Sequence, residues 1–70
     1  MKAIYSTHKG IRLFVFGVPE CWQVALYDLH KREWSDRGCS SHDTLKEAKT
    51  NAVERAAAIF GRPLAKVEWH

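Results

Sequence analysis

Seventy residues, 46% of them hydrophobic and 11% aromatic, make one domain spanning 1–70 and leave no length for a second. A formal net charge of +3 excludes a nucleic-acid mimic built on displayed acidic groups; it permits a polyanionic partner without requiring one. No run reaches the roughly 18 apolar residues of a membrane span, and MKAIYSTHKG turns polar too early for a secretory signal, so a cytoplasmic protein with no membrane partner is expected.

The N-terminal AIYST, residues 3–7, has two readings. It extends the first strand, or it forms an extra edge strand across His8-Lys9-Gly10. The run IRLFVF, 11–16, is β-branched and aromatic and stops at Gly17-Val18-Pro19-Glu20, which predicts a strand followed by a hairpin loop. CWQVALYD, 21–28, is a second strand, and LHKRE, 29–33, a polar turn. A weaker third strand starts near Trp34 and runs to Ser41, with Gly38 marking a bulge.

SHDTLKEAKTNAVERAAAIFG, 41–61, reads as one capped amphipathic helix over about 44–60. Thr44 and Glu47 have the spacing of a capping box, and Asp43 suits the positive end of the helix dipole. Leu45, Ala48, Ala52, Ala56 and Ile59 recur at helical spacing, with Val53 and Phe60 beside them. Lys46, Glu47, Lys49, Asn51, Glu54 and Arg55 take the other side, as on an ordinary solvated helix face. Gly61 sits where a C′ glycine belongs, and Pro63 forbids continuation. A contact face made mostly of alanine suits a helix that lies close on a sheet. LAKVEWH then alternates and reads as a last strand, with Ala65, Val67 and Trp69 on one face.

The predicted fold class is therefore α+β: an antiparallel three-stranded meander, one helix on one face, and a C-terminal strand. A right-handed crossover brings that strand back parallel to the one before the helix, beside the strand at 11–16, in the order 3-2-1-4.

Such a sheet has a second face that nothing in the chain covers. Strand 11–16 is apolar in both phases, and so is strand 21–28: Trp22, Val24 and Leu26 lie on one side, Ala25 and Tyr27 on the other. Either Ile11, Leu13 and Val15 meet the helix and Arg12, Phe14 and Phe16 point outward, or the reverse. Apolar open faces mark contact with other proteins, most simply a second copy in a homodimer. Aromatics beside arginine also stack nucleic-acid bases. A third reading makes the outer aromatics a second small core. The residues singled out for contact are Arg12, Phe14, Phe16 and Tyr27; the nucleic-acid alternative adds Lys31, Arg32 and Arg37.

No catalytic chemistry stands out, and a non-enzymatic protein with no cofactor and no small-molecule substrate is expected. The sequence has no phosphate-loop, dinucleotide-binding or nucleophile-elbow motif. His8, His30, His42 and His70 fall in turns or near an end of the sequence, with no second catalytic group at a suggestive spacing. Cys39-Ser40-Ser41-His42 is one close ligand pair, whereas a structural zinc site uses two, so no metal is expected. Cys21 and Cys39 do not make a disulfide framework.

Asp43-Thr44-Leu45-Lys46-Glu47-Ala48, continued by Ala52 and Ala56, resembles the step at which a strand meander enters its helix in the N-terminal module of the HicB antitoxin family. A similar D-T-x-x-E-A step opens the helix in several small bacterial and phage modules described as partial double-stranded-RNA-binding-domain folds. The resemblance covers residues 40–61. The family's acidic, glycine-containing segment before the third strand is missing, and no DNA-binding module follows in these residues. The resemblance thus implies a protein-interaction module of bacterial or phage type. Such a module binds a small protein partner as an inhibitor or antitoxin does, through its open face or as a homodimer.

Overall fold

The computed structural model describes residues 2–36 and 41–70. The fold is α+β, an antiparallel sheet with one helix packed on it. The strands are β1 (Lys2–His8), β2 (Ile11–Val18), β3 (Cys21–Asp28), β4 (Glu33–Asp36) and β5 (Ser41–His42); the helix α1 is Leu45–Phe60. The sheet order is β1-β2-β3-β4, with β5 pairing on β3 further along its length.

Turn chemistry sets the register. His8 pairs with Ile11 around the two residues Lys9 and Gly10, whose φ of 46° and 84° are the two positive values a type I′ hairpin needs. AIYST therefore belongs to a separate strand, β1. Val18 pairs with Cys21 around Pro19 and Glu20; proline presets the first turn position, and Glu20 takes a φ of 69° at the second. The third connection runs 29–32. There the Asp28 Oδ1 accepts from the His30 and Lys31 backbone N–H groups at 2.9 and 3.0 Å, an Asx-type turn.

Among the described residues, Gly17 is the one glycine within a strand, and its geometry excludes a side chain. Its φ is 134°, and a Cβ there would stand 2.3 Å from the Cys21 carbonyl oxygen.

The helix begins where the capping pattern places it. The Thr44 hydroxyl accepts from the Glu47 N–H at 3.1 Å. Gly61 closes the other end with a φ of 73°, and the Arg62 N–H reaches the Ala57 carbonyl at 3.1 Å, the long bond of a Schellman motif. Ala48, Ala52 and Ala56 are all 0% exposed. Their small side chains seat the helix against Leu13, Val15, Val24 and Leu26, which complete the core with Ile11 and Trp22. Burying each of those larger side chains contributes about 1.5–3 kcal/mol. The inner stripe ends on Phe60, packed against the core; Ile59, expected on that stripe, is 47% exposed. Four-residue steps from Ala52 lead to Phe60, so the spacing favours it over Ile59.

Two expectations need correction. The place beside β2, assigned to a C-terminal strand in the order 3-2-1-4, is held by β1. The two-residue hairpin reaches it locally, whereas a crossover has to close a long loop first. Residues 61–70 form no strand. They run to the outer edge of β1, where Tyr5 and His70 exchange both backbone hydrogen bonds at 3.1 and 2.8 Å. That is the geometry of an antiparallel pair, so the segment does run in the direction of β2. Leu64 and Trp69 pack against the core, while Ala65 is exposed. The third expected strand is two short ones, β4 and β5; Gly38, its expected bulge, lies outside the described residues, and the register shift is seen between Leu26 and Tyr27.

Candidate contact surface

Burial settles which phase of β2 meets the helix. Ile11, Leu13 and Val15 are at most 5% exposed on the helix side. Arg12, Phe14 and Phe16 are half-buried on the open side.

Directly paired residues point to the same face, so the register lays out three rows that carry the aromatic rings of the open face, with Val18 and Cys21 paired beyond them. Thr7, Arg12, Tyr27 and Trp34 form the row nearest the β1–β2 and β3–β4 turns. Tyr5, Phe14 and Ala25 form the middle row, and Ala3, Phe16, Gln23 and Ser41 the last. The rings join across the strands. Tyr5 and Phe14 lie 6.4 Å apart between centroids, Phe14 and Trp34 5.9 Å, and Trp34 and Tyr27 5.1 Å in a T-shape. Edge-to-face and tilted contacts of this kind suit the ring quadrupoles. The imidazole of His70 extends the row beyond Tyr5 at 5.6 Å.

Ala25 explains how β4 reaches β2. It sits opposite Phe14, is only 6% exposed, and is small enough for Trp34 to span β3 above it. The row is nonetheless open to solvent, with Tyr5 39% and Trp34 43% exposed. Arg12 is held within it. Its guanidinium carbon lies 4.8 Å from the Tyr5 ring centre, and its Nε donates to the Thr7 hydroxyl at 3.0 Å.

Charge divides across the sheet. Among the described residues, Arg12 is by register the only ionic side chain in the three rows. Asp28 and Glu33 pair with each other on the helix side, and Asp36 there meets the Arg55 guanidinium at 3.3 Å. The two backbone N–H groups that Asp28 accepts, Lys31 first and then His30, hold its carboxyl below the usual carboxylate range. The two turns at that end of the sheet are adjacent, since the Leu29 N–H donates to the Gly10 carbonyl at 2.8 Å. They expose Lys9, Lys31 and Arg32 close to the Arg12 row.

Arg12, Phe14, Phe16 and Tyr27 thus share one face, with Lys31 and Arg32 at its end; Arg37 lies outside the described residues. Tyr5 and Trp34 belong to the same surface and were not singled out from sequence. Reading Lys9-Gly10 as a two-residue turn places Tyr5 opposite Phe14, which was the available signal. Trp34 depends on the length of the third turn, which the sequence leaves open.

A separate cleft of about 380 Å³ lies between β1 and the C-terminal segment, lined among others by Ser6, His8, Leu64 and Glu68. Among the described residues no three His, Cys, Asp or Glu side chains converge on a metal position. The Cys39 of the weighed zinc pair lies outside the described residues, and Cys21 is a free, exposed thiol. No described helix is long and apolar enough to cross a membrane. Comparison with protein-family models, with curated proteins and with solved structures yields no match.

Proposed function

We propose that this chain is a non-enzymatic binding module and that the open face of its sheet is the working surface. The observation that carries this is the connected row Tyr5–Phe14–Trp34–Tyr27. The row stays partly exposed on a face that the chain's helix does not reach. A sheet with one solvated face normally carries polar residues there. Arg12, clamped on Tyr5 and Thr7, gives the same face a fixed cation.

Two kinds of occupant match parts of this surface. A protein, most simply a second copy, matches the composition, because tyrosine, tryptophan and arginine dominate interface energetics. An antitoxin-like or inhibitory role, as the resemblance at 40–61 implies, is the protein-binding form of this proposal. A strand of nucleic acid matches the distribution of charge. The free Cys21 thiol fits a reducing, cytoplasmic setting.

The test is sedimentation velocity together with amide NMR over a dilution series, at low and at high salt. A second copy on this face gives a dimer that persists in salt and dissociates in Phe14→Ser. Its shift changes concentrate at Tyr5, Arg12, Phe14, Tyr27 and Trp34. Association whose shifts map to the exposed side of α1 or to the cleft, and which survives Phe14→Ser and Trp34→Ser, overturns the assignment of the surface.

A further inference from the structure

We infer that the occupant of the open face is single-stranded nucleic acid, with bases stacked on the aromatic row and phosphates directed to the hairpin end. This rests on the reading of the open face as the working surface and names what it takes.

The first argument is the sign of the charge. A protein–protein interface surrounds its apolar centre with a polar rim. Here the end of the face nearest the row is rimmed by Lys9, Lys31 and Arg32, with Arg12 inside it. Asp28, Glu33 and Asp36, the carboxylates of β3 and β4, are assigned by register to the opposite side of the sheet. Asp36 is paired with Arg55, while Asp28, held ionised by two backbone N–H groups, keeps its charge near Lys31. Lys9, Arg12, Lys31 and Arg32 therefore outnumber Asp28 and Glu33 at this end of the sheet, a local excess of cations beside the aromatics. Phosphate takes up that asymmetry.

The second argument is geometric. Base-stacking sheets place aromatic side chains on adjacent strands and hold two or three bases on them. Phe14 on β2 and Tyr27 on β3 lie on neighbouring central strands, with Phe16 two residues along β2 and Trp34 on β4. Such a platform is sequence-tolerant because every base has a π-face. A duplex hides those faces in its own stack and presents a phosphate-lined cylinder. The surface therefore selects single strands, with little preference among bases.

The experiment is fluorescence anisotropy of a short fluorescein-labelled oligothymidylate, with a duplex of equal length as comparison. Single-strand binding at least about tenfold tighter than duplex binding is expected. Each engaged cation contributes a slope of about −0.7 in log affinity against log salt. Lys9, Arg12, Lys31 and Arg32 together give about −2.8, or a roughly 50-fold loss between 50 and 200 mM salt. Tyr27→Ala weakens binding about ten- to a hundredfold with the slope unchanged, as loss of a stacking platform does. Lys31→Ala combined with Arg32→Ala flattens the slope by about 1.4. Phe14→Leu keeps a core-compatible side chain and still loses affinity, which separates stacking from folding.

Binding that follows the cations but ignores Tyr27→Ala and Phe14→Leu overturns the inference, and so does equal or tighter binding of the duplex. An oligonucleotide that does not bind, beside a dimer that Phe14→Ser dissociates, overturns it in favour of a protein occupant and leaves the working surface standing. An oligonucleotide that does not bind, beside association mapped to another surface, removes both.

Discussion

Ala52→Leu tests how the helix meets the sheet. Ala48, Ala52 and Ala56 are wholly buried, as is Leu13 among the strand residues they pack with. If a gap lay beneath the helix, leucine would fill it and gain about 1.5–3 kcal/mol of burial. With alanines already in contact, the extra carbons force the helix outward or its neighbours off their rotamers. Overpacking of this kind costs about 1–3 kcal/mol. Helix propensity hardly differs between the two residues, so it does not decide the sign. At about 4–8 °C per kcal/mol for a domain of this size, the midpoint falls by about 5–20 °C. Thermal and urea unfolding followed by circular dichroism reads it, and Ala58→Leu on the exposed side of α1 is the control, with a shift near zero. An Ala52→Leu variant as stable as the parent, or more so, refutes the close seating of the helix.

The second hairpin gives a pair of opposite signs. Gly17→Ala puts a Cβ against the Cys21 carbonyl at a positive φ and costs more than about 1 kcal/mol in urea unfolding, whereas Glu20→Gly relieves a left-handed residue and stabilises by up to about 1 kcal/mol; equal signs would contradict the turn geometry. Asp28 has a depressed folded-state value, so its contribution to stability is present above its ordinary 3.8 and is lost as pH falls through the lower folded value. The stability difference between the parent and Asp28→Ala therefore holds from neutral pH down to 3.8 and closes only below it, with the carboxyl carbon titrating below 3.8 by NMR; a midpoint above that removes the Asx turn as its cause.

Local chemistry was legible because it acts over a few residues. Thr44 satisfies an N–H three residues away, Gly61 supplies a left-handed cap, and the alanine stripe declares a close contact; all three stand in the structure where the sequence places them. The meander of β2, β3 and β4 was legible too, from turn residues between apolar runs. What could not be read locally was any choice between equally apolar alternatives. One phase of IRLFVF offers three aliphatic side chains and the other two phenylalanines beside Arg12, and only the helix seated above Leu13 and Val15 leaves Arg12, Phe14 and Phe16 outside. The edge beside β2 had two claimants of similar pattern, AIYST and LAKVEWH, and the two-residue turn brought the nearer one there. The aromatic row joins four strands, so it exists only once their registers are fixed relative to one another. The sequence by itself determined the elements, their caps and one apolar helix stripe. The tertiary structure decided which face of the sheet stays open and which rings meet on it, because a strand apolar on both sides carries no information about which side is covered.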